Sequence, residues 1–201
     1  MKVKICGLSR MEDVEYVNEA MPDYAGFVFA GGRRAVSPER AAELRGAMDA
    51  GIASVGVFRD ADPALIARLF DEGVIDMAQL HGSEGAEYIR EVQGVGAPAI
   101  KAVAVSSAAD VSGASGIPAA HVLFDSGPGG TGRSFDWSLL AHADRPFFLA
   151  GGISLGNVAD AMAAGPYAID VSGGVETEGL KDRAKIMEIV GAARAAEGKE
   201  R

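Results

Sequence analysis

The chain predicts an α/β protein, a single-domain (β/α)8 barrel, on two observations. Short apolar or β-branched runs alternate with segments of helical spacing along the whole length, and parallel strands need the crossover connections that helices usually supply. About eight such units fit in 201 residues with no second compositional domain, which favours a closed barrel over an open doubly wound sheet. A third observation says where to look for chemistry. Cys6, the only cysteine, sits where the first run meets Gly7.

In order, the apolar runs at 2–6, 24–30, 53–58, 75–80, 98–103, 119–125, 146–151 and 167–172 read as buried strands. Helical spacing covers 10–20, 38–50, 63–72, 83–92, 155–164 and 182–195. Ser37-Pro38 and Asp62-Pro63 each place a capping side chain before a proline at the first helical position. Met11 and Met21, Leu65 with Leu69 and Phe70, and Ile186 with Ile189 form apolar stripes, read as faces packed on the sheet. The stretch 106–116, rich in Ser, Ala and Gly, is the weakest helical segment. Residues 1–201 form one domain in this reading, with 197–201 a frayed polar tail.

Composition narrows the partners. With 19 basic against 28 acidic residues, a net of −9, long-range attraction to nucleic acid or anionic membrane is not expected. An anionic ligand therefore needs a local positive site. One cysteine forms no intramolecular disulfide, Met1-Lys2-Val3-Lys4 leads straight into strand, and no stretch is long and apolar enough to span a bilayer. A soluble cytoplasmic protein is the expectation, with monomer and homodimer both open.

The fold locates the site. Barrel enzymes work at the carboxyl ends of the strands, and phosphate commonly binds the loops after strands seven and eight. Here those loops are Ala150-Gly151-Gly152-Ile153 and Val171-Ser172-Gly173-Gly174-Val175. Glycine lets backbone N–H groups approach a phosphate closely. One Gly-Gly pair is as well explained by a tight turn, but two at these two exits point to an anion.

Polar groups stand at three other exits: Cys6 after strand one, His81 after strand four and Asp125 after strand six. In a ring of eight, strands one and six flank the seven–eight pair, so a sulfur and a carboxyl would stand on either side of a ligand anchored there. A lone cysteine is more often a small buried hydrophobe, yet the exit position reverses that preference. His81 serves equally well as a loop cap or a functional group. Asp125 ends an apolar strand, which favours a partly desolvated carboxyl over a turn residue. Lys4 shares a strand face with Cys6 and either lowers the thiol pKa or pairs with a barrel carboxylate such as Asp170, the latter being favoured because an unpaired inward lysine is costly. Arg33 and Arg34 follow strand two as a solvated loop or as a bidentate clamp for a substrate carboxylate.

The blocks Lys4-Ile5-Cys6-Gly7, Gly56-Val57-Phe58, Gln79-Leu80-His81-Gly82, Gly129-Gly130-Thr131-Gly132, Ala150-Gly151-Gly152-Ile153 and Gly174-Val175-Glu176, in this order along the chain, resemble the phosphoribosylanthranilate isomerase family of tryptophan biosynthesis. The resemblance implies a TIM barrel and an Amadori rearrangement of N-(5'-phosphoribosyl)anthranilate to 1-(2-carboxyphenylamino)-1-deoxyribulose 5-phosphate. It implies Cys6 as general base and Asp125 as general acid, with Arg34 on the anthranilate carboxylate. His81 and Asp170 join Arg34 as substrate-binding candidates, and Gly151, Gly152, Ser172, Gly173 and Gly174 are the phosphate-binding ones. The chemistry needs no metal and no organic cofactor, and the partner is a small phosphorylated substrate. A histidine-pathway isomerase would resemble this chain only with an aspartate in place of Cys6. A non-catalytic barrel sensing a phosphorylated metabolite would keep the glycine loops without needing both Cys6 and Asp125.

Overall fold

The structure is a computed structural model that describes residues 1–127 and 134–197. Eight parallel strands, β1 (Lys2–Cys6), β2 (Tyr24–Val28), β3 (Ala53–Phe58), β4 (Met77–Leu80), β5 (Ala99–Ala104), β6 (His121–Asp125), β7 (Phe147–Leu149) and β8 (Ala168–Val171), close into a barrel in chain order. β8 pairs back onto β1, with Lys4 opposite Asp170. A two-stranded hairpin follows, β9 (Glu176–Thr177) with β10 (Leu180–Lys181).

Alternation along each strand sorts the side chains into two cores. Outward residues such as Val3, Ile5 and Phe27 pack against the helices in one large cluster. Inward residues, among them Tyr24, Val55, Met77, Ile100, Leu123 and Phe148, fill the barrel itself. Toward the carboxyl ends the inward positions turn polar, at Cys6, Gln79, Asp125 and Asp170, all 8% exposed or less. Apolar layers below and polar groups above make a barrel that is closed at one mouth and chemical at the other.

The helices are α1 (Met11–Ala20), α2 (Pro38–Ala47), α3 (Pro63–Asp71), α4 (Ala86–Gly94), α5 (Ala108–Gly113), α6 (Val158–Ala163) and α7 (Arg183–Glu197). Ser37 and Asp62 do cap α2 and α3, accepting from the amides of Arg40 and Ala64 at 3.1 and 2.9 Å. The weak stretch forms α5 and a 3₁₀ turn, Ala114–Gly116, while β6 and β7 are bridged by a 3₁₀ segment, Trp137–His142.

Several boundaries differ from expectation. β2 stops two residues early and β7 at Leu149, because Gly31 and Gly32, and Gly151 and Gly152, turn the chain at positive φ. α4 starts at Ala86 rather than 83, since the Glu84 carboxylate is spent on the loop amides of Asp60 and Gly82. Met11 and Met21 do not pack on the sheet: they are 39% and 41% exposed at the two ends of α1, where Met21 breaks the helix in the left-handed region. Leu69, Ile186 and Ile189 are buried as expected. The Gly129-Gly130-Thr131-Gly132 block and the tail 198–201 lie outside the described residues. No described helix is long and apolar enough to cross a membrane.

Candidate active site

All ten candidate residues, Cys6, Arg34, His81, Asp125, Gly151, Gly152, Asp170, Ser172, Gly173 and Gly174, line one cavity of about 750 Å³ at the carboxyl ends of the strands. β1 and β6 flank β7 and β8 in the closed ring, so Cys6 and Asp125 stand on either side of the two glycine loops.

Cys6 is held from below. Lys4 is wholly buried and donates to both Asp170 oxygens, at 2.9 and 3.0 Å. Burial pulls the Lys4 ammonium down more than any single neighbour raises it, yet the charges and hydrogen bonds of Asp170 and Cys6 together outweigh it and hold the ammonium above its ordinary range. Burial pushes the Cys6 thiol up; Lys4 opposes this and the Asp170 carboxylate reinforces it, leaving the thiol raised. Both roles foreseen for Lys4 therefore act together. Gly26 makes the thiol's room, since a Cβ there would sit 2.8 Å from the Cys6 sulfur. The Ser172 hydroxyl donates to the Cys6 carbonyl at 3.0 Å, tying the exit of β8 to that of β1.

Asp125 is fixed by its neighbours. Its Oδ1 accepts from the Ser126 amide at 2.6 Å, and its Oδ2 lies 3.4 Å from His81 Nε2. Gly151 must be glycine twice over, with φ +89° and a Cβ that would fall 2.8 Å from Asp125 Oδ1. His81 Nδ1 lies 3.2 Å from Gln79 Nε2, and its loop is clamped by the buried Lys101–Glu84 pair. Lys101 Nζ donates to the Gly82 carbonyl at 2.6 Å while Glu84 accepts from the Gly82 amide at 2.8 Å.

Arg34 reaches the cavity with its side chain 20% exposed, against 53% for Arg33. Both guanidiniums meet Glu176, which Lys181 also contacts, at 2.9 Å. A Cβ on Gly173 would make only ordinary contact with Arg34 Nη2, at 3.4 Å. Sequence reasoning gave Glu176 and Lys181 no role. Arg34 and Glu176 lie 142 residues apart, and the one readable signal was an acid just past a glycine loop in a chain whose inward arginine needs a partner. Among the described residues, no group of three or more His, Cys, Asp or Glu could hold a metal ion.

Fold and mouth together define a (β/α)8-barrel enzyme with a thiol, a carboxyl and two glycine loops around one cavity. The family model for N-(5'-phosphoribosyl)anthranilate isomerase matches residues 3–192. An isomerase of that name from Endomicrobium trichonymphae is 45% identical over 195 residues, covering 94% of this chain and 96% of its own. The crystal structure of phosphoribosyl anthranilate isomerase from Thermus thermophilus superposes with a TM-score of 0.90 at 33% identity, covering 98% and 100% of the two chains. A second such structure, in complex with reduced 1-(o-carboxyphenylamino)-1-deoxyribulose 5-phosphate, gives 0.85 at 33% identity over 97% and 99%. The chain belongs to the N-(5'-phosphoribosyl)anthranilate isomerase family. Its activity is the family's isomerisation, an Amadori rearrangement in tryptophan biosynthesis.

Proposed function

We propose that Cys6 is the general base and Asp125 the general acid of this isomerisation, with Arg34 on the anthranilate carboxylate and the Gly151-Gly152 and Ser172–Gly174 loops on the phosphate. The observation that carries the reading is positional: thiol and carboxyl sit on the two strands that flank the glycine loops, facing one cavity.

Asp125 gives its proton to the furanose ring oxygen as the C1–O bond breaks and the nitrogen lone pair closes an iminium at C1. The Cys6 thiolate then takes the C2 proton. The released pair forms the C1=C2 bond and neutralises the iminium, giving an enolamine whose tautomerisation to the ketone returns a proton to C1. The two groups account for each catalysed proton transfer. A thiol raised by burial is a poor base in the free protein, but the Lys4 ammonium beneath it and the iminium formed in the first step both favour the thiolate when it is needed.

His81 beside Asp125 suits orientation of the acid, and Asp170 meets the cavity edge while its oxygens hold Lys4. The partner we carry over is the small phosphorylated substrate. We place the protein in the cytoplasm, a reducing setting for an enzyme whose base is a free thiol.

The test is the fluorescence decay of freshly made phosphoribosylanthranilate with Cys6→Ala and Asp125→Ala. Each should lose about 10²- to 10⁴-fold in kcat while KM stays near the wild-type value. Full turnover by either variant ends that residue's assignment.

A further inference from the structure

Glu176 opens β9 just beyond the phosphate loop, and its carboxylate, with a side chain 5% exposed, is shared by three cations. Arg34 Nε donates to Oε1 at 2.6 Å and Arg34 Nη2 to Oε2 at 3.0 Å. Arg33 Nη2 donates to Oε2, and Lys181 Nζ to Oε1 at 2.9 Å. Three positive charges on one carboxylate leave the rim net positive, the local site that a chain of net charge −9 needs for an anion. Burial alone would raise this carboxyl, but Arg34, Lys181 and Arg33 bring it down to about 2, so it is ionised at working pH.

A guanidinium offers two edges to carboxylates, Nε with Nη2 and Nη1 with Nη2. Glu176 occupies the first. Among the described residues nothing accepts from Nη1. The Arg34 stem is fixed too, because a Cβ on Gly7, at φ +85°, would fall 2.5 Å from Arg34 Cδ. With stem and one edge held, the second edge is the part of Arg34 left to meet a ligand in the cavity it lines. The same carboxylate reaches the phosphate loop, since Lys181 also donates to the Ser172 carbonyl at 3.0 Å and the Glu176 amide donates to the Gly173 carbonyl at 3.1 Å.

We propose that Glu176 is a positioning residue: it presents the Nη1–Nη2 edge of Arg34 to the substrate carboxylate and fixes the distance between that grip and the phosphate grip. The inference rests on the reading that Arg34 holds the carboxylate. Glu176 touches no reacting atom, so its effect falls on binding.

The test uses two probes, reduced 1-(o-carboxyphenylamino)-1-deoxyribulose 5-phosphate and its analogue without the carboxyl group, titrated into the whole protein by calorimetry. Glu176→Gln keeps the volume but offers Arg34 one acceptor in place of two; Glu176→Asp is the companion that keeps the charge should the first fold poorly. Glu176→Gln should weaken the carboxylated probe by roughly 10- to 100-fold, leave the other within about twofold, and raise KM more than it lowers kcat. In an Arg34→Ala background the same change should add nothing. Equal weakening of both probes, or an undiminished loss without Arg34, overturns the proposal. If Arg34→Ala itself fails to discriminate between the probes, the Arg34 assignment falls and the proposal with it; discrimination by Arg34→Ala but not by either Glu176 variant overturns the role of Glu176 alone.

Discussion

Lys4 and Asp170 are register partners across the seam where β1 meets β8, and their side chains join at 2.9 Å with Lys4 wholly buried. A buried ammonium stripped of its partner is expensive, so Asp170→Asn should lose on the order of 3–5 kcal/mol in urea unfolding. The same change removes the negative charge that raises the Cys6 thiol and leaves the lysine that lowers it. Alkylation of Cys6 by iodoacetamide, followed against pH, should therefore shift its midpoint to lower pH as stability falls. A midpoint that moves upward would remove Asp170 from the control of the thiol.

Gly26→Ala probes the space around the thiol. The new Cβ would fall 2.8 Å from the Cys6 sulfur and 3.2 Å from the Cys6 Cα, so sulfur and strand must both give way. Overpacking of this kind costs about 1–3 kcal/mol. The displaced sulfur should lower kcat while KM, which we assign to groups elsewhere on the rim, changes little. Unchanged kcat would show that the sulfur has room the packing denies.

How much of this was legible depends on how local the signal is. The strands were readable because both faces of a parallel barrel are buried, which leaves continuous apolar runs such as Ala53–Phe58. Cys6 and Asp125 were readable because each ends such a run, where a polar group has no packing role. Met11 and Met21 misled because apolar spacing does not say that a helix's ends overhang the sheet. The 3₁₀ turn in place of a helix after β6, the β9–β10 hairpin and the Glu176 hub have no local pattern; the last forms only when β2's loop meets β8's, 142 residues away. Gly26 and Gly174 look like ordinary glycines until the atoms facing them are known.

Glu176 gives a pH dependence with a definite sign. Its carboxyl falls to about 2 in the folded protein from an ordinary 4.5, so its contribution is fully present above pH 4.5 and drains away as pH falls toward 2. The difference of about 2.5 units corresponds to about 3 kcal/mol. Urea unfolding of wild type and Glu176→Gln at successive pH values should show a gap of that order at pH 6 that has nearly closed by pH 2, where half of the wild-type side chains are already neutral. A gap constant across the range would mean that the charge of Glu176 adds nothing to stability.

Gly174 offers the sharpest steric test of the proposed phosphate site. The loops after β7 and β8 meet in an isolated bridge between Ser154 and Gly174, and a Cβ on Gly174 would lie 1.9 Å from the Ile153 carbonyl oxygen. No rotamer relieves a backbone clash, so Gly174→Ala must push the loops apart and spoil the anion site we propose for their amides. Competitive inhibition by inorganic phosphate should weaken by about tenfold or more, the loss of one or two charge-assisted hydrogen bonds. Gly46→Ala is the control: it lies in α2 with nothing within 4 Å of the added carbon, so it should leave inhibition unchanged and add roughly 0.5–1 kcal/mol of stability. If phosphate inhibits Gly174→Ala as well as it inhibits the wild type, the anion is held by something other than these two loops.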